Sequence, residues 1–96
     1  MAVRLIISMT AAPGKASELA KSYKSRCETI ANEPGCEQFE VFQSVVNPDN
    51  FVLIERWTDQ AALDVHHKVN STRPPLPADL RIGATEREDY TYNRTR

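Results

Sequence analysis

The chain lacks most of what a membrane, a nucleic acid or a bound cofactor would require. No stretch stays apolar for the roughly 20 residues that a membrane-spanning helix needs, so no membrane partner is expected. Neither sign of charge dominates: 12 basic residues stand against 13 acidic ones, for a net charge of −1. The basic face that marks nucleic-acid-binding domains is therefore missing. Three glycines are present, none in a phosphate-cradling loop, and there is no G-x-G-x-x-G and no Ser-His-Asp signature. His66 and His67 are adjacent, whereas helical metal-binding pairs use i, i+4 spacing. The expected cofactor complement is none: flavin, nicotinamide and metal dependence are all disfavoured.

The two cysteines, Cys27 and Cys36, have neither the close spacing of a zinc or redox motif nor the density of a secreted disulfide scaffold. A reduced, cytoplasmic protein is the simplest expectation, with a disulfide between them left open. The opening MAVRLIISMT runs straight into a Pro-Gly-Lys turn, without the longer apolar region and cleavage site of a signal peptide, and reads as a first strand.

What is present is ordinary for a globular protein, with 41% hydrophobic and 26% charged residues. The expectation is one domain over residues 1–96, with the thin core of a chain that buries only roughly 60 to 65% of its unfolded surface. Residues 2–9 alternate, with Val3, Leu5, Ile7 and Met9 on one face and Ile6 on the other, as in a strand covered on both sides. After Pro13-Gly14, the residues Ala16, Leu19, Ala20, Tyr23, Cys27, Ile30 and Ala31 recur at helical spacing, and Pro34-Gly35 must end that helix.

Residues 36–46 and 51–57 read as an antiparallel hairpin around the Asn47-Pro48-Asp49-Asn50 turn, with Phe39, Val41, Gln43 and Val45 sharing one face. Thr58 is the expected N-cap of a second helix over residues 60–69, whose inner face would use Ala62, Leu63, Val65, His66 and Val69. An irregular, proline-rich connector follows over residues 70–77. Residues 82–92 then form a last strand with Glu86, Glu88, Tyr90 and Tyr92 in register. The order β-α-β-β-α-β defines an α+β, ferredoxin-like fold. Helices cover one face of such a sheet; the other, still carrying apolar residues, is expected to pack on a second copy as a homodimer.

The P-G-K turn, the N-E-P-G-C element from Asn32 to Cys36, F-E-V-F from Phe39 to Phe42, N-P-D-N-F, and E-R-W followed by A-A-L-D-V-H form an ordered set. This set resembles the antibiotic biosynthesis monooxygenase family over about residues 3–67. The resemblance implies the dimeric α+β barrel, a pocket between sheet and helices in each protomer, and often oxidation of electron-rich aromatics by O2 without a cofactor. Beyond His67 it fades into S-T-R-P-P-L-P.

Three branches of the family can be compared residue by residue. The haem-degrading branch would need an Asn, a Trp and a His near Ile7, His66 and Leu76, and none matches. The aromatic-polyketide branch would need an Asn, a Trp and a Tyr near Leu53, Trp57 and Leu63, and only Trp57 is retained. Quinol-monooxygenase-like and signal-isomerase-like members resemble this chain in the acid before the aromatic and the histidine after it, here Glu55, Trp57 and His66.

A cofactor-free oxygenase needs a substrate that becomes a good electron donor once deprotonated, and a group to take the proton. His66 is the expected catalytic base, since imidazole titrates near working pH; the plain alternative is a semi-buried packing residue. Glu55, Trp57 and Tyr90 are the expected substrate-binding residues. Their alternatives are an ion pair for Glu55, core packing for Trp57 and closure of the dimer for Tyr90. The expected activity is oxidation of a quinol or polyphenol-type small aromatic substrate. An isomerase or cyclase, or a non-catalytic small-ligand-binding dimer, would use the same pocket.

Overall fold

The computed structural model describes residues 1–93 and residue 95. The elements run β1 (Ala2–Ala11), α1 (Ala16–Ile30), β2 (Cys36–Gln43), β3 (Asn50–Trp57), α2 (Gln60–Asn70), a single 3-10 turn (Ala78–Leu80) and β4 (Arg81–Tyr92). They build one four-stranded sheet in the order β2-β3-β1-β4, with every neighbouring pair antiparallel. This is the expected ferredoxin-like fold. Among the described residues no helix is long and apolar enough to cross a membrane.

The period-2 alternation of the two central strands decides which side is core. Val3, Leu5 and Met9 of β1 and Phe51, Leu53 and Trp57 of β3 are buried on one face. Against it α1 lays Leu19, Tyr23 and Ile30, and α2 lays Leu63. The opposite face carries Ile6, Val52, Ile54 and the half-exposed Phe42 and Tyr90, uncovered by any helix.

Local chemistry moves several expected boundaries. β2 stops at Gln43 rather than Val46, because the Ser44 hydroxyl accepts from the backbone N–H groups of Val46 and Asn47, both at 3.1 Å. Such a side-chain turn competes with the strand ladder, and it leaves Val45 and Val46 in solvent. Asp59, not Thr58, caps α2: its carboxylate accepts from Ala62 N–H at 2.8 Å. On α2, Val65 and Val69 face outward, so the inner stripe narrows to Ala62, Leu63 and His66. The proline-rich stretch after α2 is a strap tied to the body. Arg26 donates to the Pro74 carbonyl at 2.5 Å, Leu76 packs against the core, and Leu80 is buried.

Candidate functional site

Trp57 ends β3 between Val3 of β1 and Cys36 of β2, and it is wholly buried. Residues two apart on a strand share a face, so Glu55 lies beside it under the helices with 4% of its surface exposed. Trp57 Nε1 donates to Glu55 Oε1 at 3.0 Å. One helical turn past Leu63, α2 places His66 over this pair, also 4% exposed. Its ring stacks on Trp57 with centroids 4.6 Å apart and lies 5.7 Å from Phe39.

The other edge of the imidazole is held from a distance in sequence. His66 Nδ1 is 2.9 Å from Oε1 of Glu33, in the turn between α1 and β2. Oε2 of the same carboxylate accepts from Arg73 Nη2 at 2.7 Å, and Arg73 Nη1 donates to Asn70 Oδ1 at 3.3 Å. Arg73 sits on the strap, so strap, turn and helix meet at one carboxylate. On the same sheet face, β4 presents Arg87 and Asp89, joined by two hydrogen bonds of 2.7 and 2.8 Å. The bond to Asp89 pushes the Arg87 guanidinium up, and the bond to Arg87 holds the Asp89 carboxyl down. His67 is pushed down by desolvation and then by the charges of Arg87 and His66.

Burial pushes the Glu55 carboxyl above its ordinary value of 4.5, against lowering contributions from the Trp57 hydrogen bond and from nearby His66 and Arg87. A proton held more tightly in the folded than in the unfolded chain makes ionisation cost stability. The Glu55 contribution is thus fully present below the unfolded value and lost as pH rises through the raised folded one. Glu55→Gln has no proton to lose and keeps an oxygen for Trp57. Melting temperatures of wild type and Glu55→Gln are therefore expected to diverge, in favour of the variant, as pH rises from about 4.5. Parallel curves between pH 4 and 8 would show that the folded carboxyl does not titrate differently.

Cys27 and Cys36 are free thiols, half-buried, each pushed from 9.0 up to about 11, chiefly by desolvation. A shift of that size lowers the thiolate fraction at neutral pH by about 100-fold. Both are expected to react with Ellman's reagent far more slowly in the folded protein than in urea, and equal rates would contradict the burial. Among the described residues, no group of three or more His, Cys, Asp or Glu is arranged to hold a metal ion.

Among the described residues, a cleft lies on each side of the sheet. One of about 500 Å³ lies between α1 and β2, against Tyr23, Cys27, Phe39 and Val41. The other, of about 440 Å³, opens on the helix-free face around Ser8, Phe42 and Val52. His66 lines neither, but Phe39 is shared: it walls the first cleft and packs against the imidazole.

Of the expected site residues, the structure brings together His66, Glu55 and Trp57, and leaves Tyr90 apart. Tyr90 pairs with Arg4 on the helix-free face, 47% exposed, and its hydroxyl donates to Glu88 Oε1 at 3.0 Å. The β4 register turns Arg87 and Asp89, not Tyr90, toward the helices. Glu55 bonds to Trp57 rather than to His66, and the stacking partner of Trp57 is His66. The partner of His66 is Glu33, inside the N-E-P-G-C element, where an acid directly before a Pro-Gly reversal was the available signal.

The chain matches the antibiotic biosynthesis monooxygenase family over residues 2–71, and it belongs to that family. It is 30% identical over 56 residues to YcnE of Bacillus subtilis, provisionally named a monooxygenase, in a match covering 58% of this chain and 59% of that one. The match thus leaves out about two-fifths of that relative's length. Among solved structures, PA3566 from Pseudomonas aeruginosa superposes with a TM-score of 0.79 at 26% identity, over 97% of this chain and 95% of that one. SnoaB of Streptomyces nogalater, a cofactor-independent oxygenase, shares the fold, with a TM-score of 0.72 at 18% identity over 98% and 95% of the two chains.

Proposed function

We propose that this protein is a cofactor-independent monooxygenase that oxidises a quinol or polyphenol-type aromatic with O2, with His66 taking the substrate's proton. The observation that carries this reading is the built histidine: an imidazole stacked on Trp57, with Nδ1 engaged by a carboxylate that Arg73 holds in turn. Orienting a base through a third group is the general device for activating it. The names of YcnE and SnoaB agree with the reaction class.

Deprotonation makes the bound aromatic electron-rich enough to pass one electron to O2, giving an organic radical and superoxide. Their recombination forms a C–O bond, and loss of water from the resulting hydroperoxide leaves a carbonyl. One oxygen atom stays in the product and the other leaves as water. The cleft between α1 and β2 is the proposed substrate site, with Phe39 the wall that turns to admit the substrate to His66. Glu55 provides the polar end of an otherwise aromatic cluster.

The whole chain is proposed to act as one domain and as a homodimer joined through the helix-free sheet face. That face holds two buried polar atoms without a partner among the described residues, Arg56 Nε and Tyr92 OH, which a second copy would satisfy. Tyr90 then belongs to the dimer contact.

Oxygen uptake by metal-stripped protein, measured with a panel of quinols and anthrones, tests the reading. Uptake well above the autoxidation blank is expected. Product formation that persists without O2 would indicate an isomerase instead. A raised melting temperature with ligand but no product would indicate a binding protein, the alternative that the burial of His66 favours.

A further inference from the structure

Glu33 touches the base and Arg73 touches Glu33, so the chemistry of the two oxygens can be followed outward from the ring. An ionised carboxylate only accepts hydrogen bonds. Arg73 donates to Oε2 at 2.7 Å, and Glu33, with 14% of its side chain exposed, lies against the guanidinium as a carboxylate. Nδ1 of His66, at 2.9 Å from Oε1, must then carry the hydrogen. The lone pair that takes a proton is then left on Nε2.

The strap adds a second element. Residues 71–77 are seated by Arg73 on Glu33, by Arg26 on the Pro74 carbonyl and by Leu76 on the core. Only a seated strap gives Glu33 its guanidinium partner.

We propose that Glu33 is a positioning residue that fixes His66 as the Nδ1–H tautomer, and that Arg73, carried on the strap, keeps the carboxylate aimed at the ring. This deepens the oxygenase reading and rests on it where turnover is concerned; the tautomer itself does not depend on it. Replacing Glu33 by Gln leaves one oxygen for two donors. The charged Arg73 outcompetes a neutral ring N–H for that oxygen, which turns the amide NH2 toward Nδ1 and moves the ring hydrogen to Nε2. Removing Arg73 as well frees the amide oxygen for Nδ1–H.

The test is nitrogen-15 spectroscopy of histidine-labelled protein, with His66 assigned by its loss in His66→Ala, and kcat and KM measured on the same samples. Wild type is expected to show protonated Nδ1 and bare Nε2. Glu33→Gln is expected to show the reverse, with kcat lowered by about 100-fold or more and KM within about twofold. The double variant Glu33→Gln with Arg73→Met is expected to regain Nδ1–H and at least about tenfold of the lost kcat.

Bare Nδ1 in wild type overturns the proposal without any variant having to fold. A fall in kcat in Glu33→Gln without the tautomer change also overturns it, since that is the mark of a merely structural role. Failure of the double variant to regain Nδ1–H overturns the part assigned to Arg73. If wild type turns over none of the quinols, the oxygenase reading fails, while the wild-type spectrum still decides the role of Glu33.

Discussion

His66→Ala is expected to lose about 100-fold or more of the enzyme-dependent oxygen uptake, the lower part of the range that a positioned general base supplies. The autoxidation blank, which involves no protein group, stays where it is. This substitution also removes a buried ring that stacks on Trp57 and pairs with Glu33. Leaving a largely buried carboxylate short of one donor costs about 1 to 3 kcal/mol, so a lower melting temperature is expected alongside the lost activity. His66→Gln separates the two effects. A Gln amide still donates to Glu33 and fills much of the space, but it is no base at neutral pH. It is expected to lose activity as fully as His66→Ala while melting closer to wild type. Full uptake in a folded His66→Gln protein would move the proton acceptor elsewhere, with the raised carboxyl of Glu55 the next group to test.

The parts of the fold that were legible in sequence are those decided by local pattern. The helix through Leu19, Tyr23 and Ile30, the hairpin around Asn47-Pro48 and the alternation of β1 and β3 each depend on spacing within one segment. The element order followed from them, and with it the sheet topology. Local pattern misleads where two signals compete. Thr58 and Asp59 are both good caps, and only the backbone path chose Asp59. Ser44 interrupts a strand pattern that hydrophobicity alone would carry through Val45 and Val46.

The site was legible in part for a related reason. Glu55 and Trp57 are two residues apart on a strand, so their common face can be read directly. The face that Tyr90 occupies depends on how β4 pairs with β1, which no local pattern reports. Glu33 is 33 residues from His66 and 40 from Arg73. Their meeting is a product of the fold: α2 packs over the turn that follows α1, and the strap returns across both.

Gly35 lies close against α2 in that packing, and Gly35→Ala is expected to destabilise the protein by about 2 to 5 kcal/mol. Its φ of +80° lies in the left-handed region, which costs a residue with a Cβ roughly 1 to 2 kcal/mol. The added Cβ would also lie 2.5 Å from Ala62 Cβ and 3.0 Å from Thr58 Oγ1. Neither neighbour is the free end of a long side chain, so α2 itself must move, and such overpacking adds roughly 1 to 3 kcal/mol. Gly14 supplies the control: its φ is +75°, but nothing lies within 4 Å of the position a Cβ would take. Gly14→Ala is therefore expected to show the conformational cost alone, about 1 to 2 kcal/mol. Urea unfolding of both variants measures the difference, provided the slope with denaturant is unchanged. Equal midpoints would mean that α2 yields freely at Ala62. An excess loss in Gly35→Ala, together with disturbed stacking of His66 on Trp57, would show that the close approach of Gly35 to α2 seats the base over the sheet.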